Sequence, residues 1–183
     1  MRKFGVFSLF LFASILIAGL YGILHDQLTF TISPEYFTKF KYQQFGFDPY
    51  WFGGDRQTAA VIGFLATWWT GMIIGLVLGL VGLTFPDHKS MAVALRRAIL
   101  LVMAFSALLA LFGGLLGRFY LASKGVNWWL PENLVDRTAF ITVGSIHNFS
   151  YLGGLLGMFA AVYFLIRRKR QDKRHAALSV VSS

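Results

Sequence analysis

The sequence predicts an all-α integral membrane fold: a four-helix transmembrane bundle with a short interfacial helix in the first long loop. Three observations predict it. The 183 residues are 56% hydrophobic and only 14% charged, where a soluble domain carries about a quarter charged residues. The apolar residues fall into four blocks, each at least as long as the roughly 20 residues that cross a hydrocarbon core. The charges gather beside these blocks, so the net +9 reads as a topology signal in a lipid bilayer and not as a nucleic-acid footprint. There are no cysteines, which excludes disulfides, thiolate metal sites, iron–sulfur clusters and thiol nucleophiles.

The first block, residues 4–24, follows Met1-Arg2-Lys3. That start resembles the basic region of a signal peptide, but the apolar stretch exceeds the roughly 7–15 residues of a signal core. It is read as a retained span. The other spans are residues 59–85, 98–121 and 139–166, leaving outer loops at 25–58 and 122–138 within one transmembrane domain, 1–170. Residues 171–183 form a mobile cytoplasmic tail.

Orientation follows from Lys and Arg near the span ends. Arg2, Lys3, Lys89, Arg96, Arg97 and the basic run from Arg167 to Arg174 lie on one side. The other side carries fewer, with Asp26, Glu35, Asp48, Asp55, Glu132 and Asp136 among them. Both termini are therefore expected in the cytoplasm.

Every span carries small residues at four-residue spacing: Ser14, Ala18 and Gly22; Gly71, Gly75 and Gly79; Gly113 and Gly117; Gly153 and Gly157. In lipid such positions let helix backbones approach closely. They predict a compact bundle or contacts in a homo-oligomer or with other membrane subunits. Asp55-Arg56-Gln57-Thr58-Ala59 before the second span and Asp136-Arg137-Thr138-Ala139 before the fourth hint at two related helical hairpins.

In the first long loop, Leu28-Thr29-Phe30-Thr31-Ile32-Ser33 alternates apolar and polar residues, the pattern of an extended segment. Ser33-Pro34-Glu35 then has the chemistry of a helix start. A helix is expected from Pro34 to about Gln44, stopped by Gly46. Tyr36, Phe37 and Phe40 mark its apolar side, with Lys39 and Lys41 on the polar side. This reads as a helix lying on the outer membrane surface.

The stretch His25-Asp26-Gln27-Leu28-Thr29-Phe30-Thr31-Ile32-Ser33-Pro34-Glu35-Tyr36-Phe37-Thr38-Lys39-Phe40 resembles a segment of uncharacterised bacterial multi-spanning inner-membrane proteins. The resemblance implies a bacterial inner (cytoplasmic) membrane location and no activity.

Ionisable residues at membrane depth are functional candidates. His147 lies about nine residues inside the fourth span, roughly 13 Å along the axis, on a face shared with Gly144, Tyr151, Gly154 and Met158. Asn148 lies beside it, and Thr142, Ser145 and Ser150 make this half of the span polar. His25 and Asp26 end the first span, Glu35 follows, and Arg118 ends the third, where it can pair with Asp26 or Glu35. Thr67, Trp68, Trp69 and Thr70 of the second span can join them.

His25, Asp26, Glu35 and His147 offer nitrogen and oxygen ligands suited to zinc, copper or non-haem iron. No two have a diagnostic spacing, and the two histidines are expected at different depths. Three readings stay open. One is an accessory or structural subunit, or an assembly factor, of a membrane complex. Another is a metal- or cofactor-binding membrane protein, enzyme or not. The third is a small transporter, sensor or proton-path component acting as an oligomer. A structural role predicts His147 paired with protein groups in a dry bundle. A cofactor role predicts His25 and His147 within about 5 Å, the reach of ligands sharing one ion. Transport predicts a cavity reaching His147. No glycine-rich phosphate loop, serine-nucleophile elbow or H-E-x-x-H is present.

Overall fold

The computed structural model describes residues 2–181, with side chains through Asp172. Four helices are long and apolar enough to cross a membrane. Helix α1 is Arg2–Ile32. A short helical segment, α2 (residues 34–45), follows; it comprises Pro34–Tyr36, a π-helical turn at Phe37–Lys41, and Tyr42–Phe45. A 3-10 turn covers Pro49–Phe52. Helix α3 is Asp55–Gly82. Helix α4 begins as His88–Leu116 and continues through a π turn, Gly117–Leu121, to Lys124. Helix α5 is Arg137–Val181. It runs on through residues 171–181 of the expected tail, and residues 182–183 lie outside the described ones.

The bundle is two close pairs, α1 with α3 and α4 with α5, as the glycine positions dictate. A Cβ on Gly22 would overlap the Gly63 carbonyl, and one on Gly71 would overlap the Ser14 carbonyl. Thr67 Oγ1 donates across the same contact to Ala18 O at 2.7 Å. In the second pair, Cβ atoms on Gly113, Gly153 and Gly157 would press into Phe149, the Phe105 carbonyl and Val102. The small-residue stripes thus serve contacts inside each hairpin. Each hairpin is a helix, a connection and its antiparallel return, consistent with two related halves.

Caps finish the helices. Asp87 Oδ1 accepts from the N–H groups of Lys89 (2.8 Å) and Ser90 (3.0 Å) at the start of α4. Asp136 Oδ1 accepts from Ala139 N–H (2.8 Å) at the start of α5. Such bonds satisfy donors that a helix start leaves open. Lys3 Nζ donates to Leu83 O (3.0 Å) and Phe85 O (2.9 Å), closing the α3–α4 turn.

Two apolar cores hold the pairs together, one at each end. At the short-loop end Leu78, Phe85, Met91, Leu95 and Leu165 are buried together. At the long-loop end Phe30, Phe37, Ile62, Phe140 and Val143 are. Between these cores the bundle is hollow.

Three expectations change here. Residues 28–32 are helical, not extended, so α1 runs two turns beyond the expected span end at residue 24. Thr29 and Thr31 donate to the carbonyls of His25 and Gln27 four residues back, both at 3.0 Å, so their hydroxyls are satisfied inside a helix. Thr29 and Phe30 are buried one turn after Asp26, and this helical period overrides the short alternation. The helix after Ser33 forms and ends at Gly46 in the left-handed region (φ 66°), but it packs on the bundle. Tyr36 and Phe37 are buried in the long-loop core, against Phe140 and Phe30 respectively. Lys41, expected on the polar side, is buried, with Nζ 5.6–5.9 Å from the ring centres of Tyr36, Phe40 and Phe45. The extra residue per turn in the π segment rotates Lys41 inward relative to an α-helix.

Candidate metal centre

His25 and Asp26 lie about two turns before the end of α1, on the side facing α5. His147 lies about three turns into α5. Counted from the helix ends Ile32 and Arg137, the depths are roughly 10 Å and 15 Å at 1.5 Å per residue. The difference in depth shrinks to about 5 Å because α1 is longer than the apolar block, and the side chains span it. The ring centres of His25 and His147 are 4.5 Å apart, edge to face.

Asp26 Oδ1 is the hub. It lies 3.1 Å from His25 Nδ1 and 3.1 Å from His147 Nε2. All three side chains are largely withdrawn from solvent, with 11%, 4% and 6% of His25, Asp26 and His147 exposed. Tyr36 roofs the site, its ring centre 4.8 Å from that of His147.

Hydrogen-bond roles make this arrangement informative. His147 Nδ1 is 2.9 Å from Val143 O. A carbonyl only accepts, so Nδ1 carries the hydrogen, and a neutral ring then aims the bare lone pair of Nε2 at Asp26 Oδ1. Two lone pairs at that distance repel unless a cation or a proton lies between them. Two further atoms of the cluster, His25 Nε2 and Asp26 Oδ2, are buried with no hydrogen-bond partner among the described residues. Leaving such groups unpaired costs about 1–3 kcal/mol each.

One ligand atom from each residue gives a set lying within 4.8 Å of one another. Zinc bonds to nitrogen and oxygen are about 2.0–2.1 Å, which puts neighbouring ligand atoms about 2.8–3.4 Å apart for angles between 90° and tetrahedral. The two 3.1 Å separations, both to Asp26 Oδ1, fall in that range; the set as a whole spans up to 4.8 Å, so the histidines close toward each other when one ion reaches both. The Val143 carbonyl holds the His147 ring as backbone carbonyls commonly hold a ligating histidine.

The other candidates lie elsewhere. The Glu35 carboxylate accepts from Asp136 N–H (2.8 Å) and Val135 N–H (3.0 Å) and pairs with Lys39 Nζ (2.6 Å). These contacts, led by the Asp136 N–H, hold its pKa at about 2, and they tie the first long loop to the second. Arg118 is exposed and, among the described residues, forms no ion pair with Asp26 or Glu35. The expected pairing fails because each carboxylate already has nearer partners. Asn148 is exposed. Tyr151 donates to Ala66 O at 3.2 Å. Burial pushes the Lys41 ammonium pKa down, opposed by the charge of Asp26.

Below the cluster lies the hollow, a cavity of about 270 Å³ lined by His25, Asp26 and His147 at one end and by Ile99, Val102 and Met158 toward the other. Thr67, Trp69, Thr70, Tyr151 and Gly154 also line it. Three lining residues, Tyr21, Ser106 and Ser150, form a polar bridge, of which sequence reading named Ser150 and missed the other two. Tyr21 Oη is 2.9 Å from Ser150 Oγ, and Ser106 Oγ donates to Ser150 O at 2.9 Å. The available signal was a single hydroxyl on an otherwise apolar turn of each of α1 and α4.

No protein family matches the chain, and no curated protein or solved structure is similar to it.

Proposed function

We propose that this chain is a metal-binding membrane protein in which His25, Asp26 and His147 hold a divalent transition metal, zinc or ferrous iron, at the top of an intramembrane cavity. One observation carries the reading: His147 Nε2, with Nδ1 committed to Val143, points its lone pair at Asp26 Oδ1 across 3.1 Å in a buried site. A metal cation converts that repulsion into two bonds. Two histidines and one carboxylate are a donor set for zinc and for non-haem iron. Three protein ligands leave coordination positions open, the arrangement of metals that bind or polarise a ligand. The cavity gives such a ligand a place to sit.

The Lys and Arg distribution supports a multi-pass membrane protein with both termini in the cytoplasm, and the resemblance of residues 25–40 supports a bacterial inner membrane. That orientation puts the metal near the outer face of the membrane, beneath the roof formed by α2.

The test is metal analysis of detergent-purified protein, as isolated and after loading with zinc or ferrous iron, beside His147→Ala. Near one equivalent bound by the wild type and lost in a variant that stays monodisperse and helical supports the centre. A wild type that holds neither metal after loading overturns it and returns the cluster to a structural role, with a proton shared between Asp26 and His147.

A further inference from the structure

The cavity is the wrong shape and chemistry for a water-soluble ligand. It extends along α1 from Asp26 to Ser14 and along α5 from His147 to Met158, each about 16–18 Å of helix. Its volume of about 270 Å³ exceeds the roughly 150 Å³ apolar cavity that takes a benzene. Spread over that length, the space is narrow. The polar end is the His25–Asp26–His147 cluster, and beyond the Tyr21–Ser150 bridge the walls are mostly apolar, the Ser14 and Thr70 hydroxyls there being bonded back to the Phe10 and Thr67 carbonyls. Ile73, Trp69, Leu155 and Tyr151 line the cavity and are also 44%, 44%, 48% and 39% exposed. The α3 and α5 walls of the cavity are therefore also part of the surface that meets lipid. Gly154 marks the same space: it lines the cavity, and a Cβ there would meet nothing within 4 Å. Its neighbour Gly153 is needed for close helix packing, whereas Gly154 is not.

We propose that the cavity binds a single-chain amphiphile with an anionic oxygen headgroup, which enters sideways from the bilayer between α3 and α5. The chain lies along Ile99, Val102 and Met158, and the headgroup completes the coordination of the metal. The headgroup contact rests on the metal reading; the chain site does not. A carboxylate and a phosphate monoester both supply the required anionic oxygen.

Native mass spectrometry from a non-ionic detergent tests this with lauric acid, dodecyl phosphate and neutral dodecanol, on zinc-loaded wild type and Gly154→Leu. Expected is one equivalent of lauric acid or dodecyl phosphate on the wild type, the preferred probe identifying the headgroup, with dodecanol at least tenfold weaker. Gly154→Leu fills the space a chain would occupy, so it should keep its metal and melting temperature and lose the amphiphile at least tenfold. Gly154→Ala, adding one methyl, should lose less. Zinc-loaded wild type that takes none of the probes, or a Gly154→Leu protein that binds them as wild type does, overturns the amphiphile site while leaving the metal centre intact. Dodecanol binding as tightly as the anions overturns the headgroup assignment. A protein that holds no metal yet takes the anionic amphiphile in a Gly154-dependent way sinks the metal centre and the coordination by the headgroup, and upholds the chain site.

Discussion

Asp26→Asn is the sharpest single perturbation of the site, because one oxygen of Asp26 faces both histidines. The amide keeps the shape of the carboxylate and removes its charge. Structural zinc sites with four ligands are worth about 10–16 kcal/mol, so one ligand accounts for about 2.5–4 kcal/mol, or roughly 10²–10³ in affinity. The assay is thermal melting in detergent with and without zinc, at a zinc concentration about 100 times the wild-type dissociation constant. Binding to the folded state alone then adds about 2.7 kcal/mol, which raises the melting temperature by about 5–11 °C for a chain of this size. If Asn weakens binding a hundredfold, the same zinc adds about 0.4 kcal/mol, a rise of about 1–2 °C. A zinc-dependent rise in Asp26→Asn equal to that of the wild type refutes the assignment of Asp26 as a ligand. The absence of any rise in the wild type refutes the centre.

Three further outcomes are expected. Gly22→Leu, which forces a side chain onto the Gly63 carbonyl, should separate α1 from α3 and lower stability by at least the 1–3 kcal/mol typical of overpacking, read as a fall in melting temperature. Glu35 is depressed in the folded state, from 4.5 to about 2, so its stabilisation is present above about 4.5 and is lost as pH falls through about 2; hydrogen-exchange protection at Val135 and Asp136, taken relative to the intrinsic rate at each pH, should fall across that window, and Glu35→Gln should show low protection already at neutral pH. Lys41→Met keeps the aliphatic packing and removes a buried ammonium, so it should raise the melting temperature in ligand-free protein; a fall would mean that the contacts of the charge with the three rings outweigh its burial.

The four long apolar helices and the positions of close helix contact were legible in the sequence because both rest on local composition, though which helix meets which was not. Apolar length makes a span, and glycines at four-residue spacing make a close contact, whatever the remainder of the chain does. The end of α1 was not legible from hydropathy. Residues 25–32 mix polar and apolar side chains, and the block ends at Leu24, yet the backbone stays helical, burying Asp26, Thr29 and Phe30 on one face while the two threonines satisfy their hydroxyls within the helix. That error propagated to the site. With α1 cut short, His25 sat at the membrane surface and His147 well below it. With α1 extended, the two rings meet. Convergence of residues separated by 121 positions leaves no spacing motif, so only their rarity in apolar surroundings could flag them. Glu35 and Arg118 were named as polar residues near the same end, and composition cannot tell a loop clasp from a ligand.

The position of the cluster follows from how the bundle is built. Glycine lets α1 meet α3, and α4 meet α5, with backbones nearly touching at those positions. Larger side chains keep the two pairs apart. Space and unpaired polar groups therefore collect in the seam between them, and Asp26 of one pair faces His147 of the other across it. A metal bound there bridges the pairs at one end, while the core around Leu78, Met91 and Leu165 holds them at the other. Anything that lifts the roof formed by Tyr36, or displaces a ligand from the metal, changes how firmly the seam is closed beside the cavity. On the proposed reading, a metal held across the seam between Asp26 and His147 couples the binding of any ligand in the cavity to the contact between the two halves.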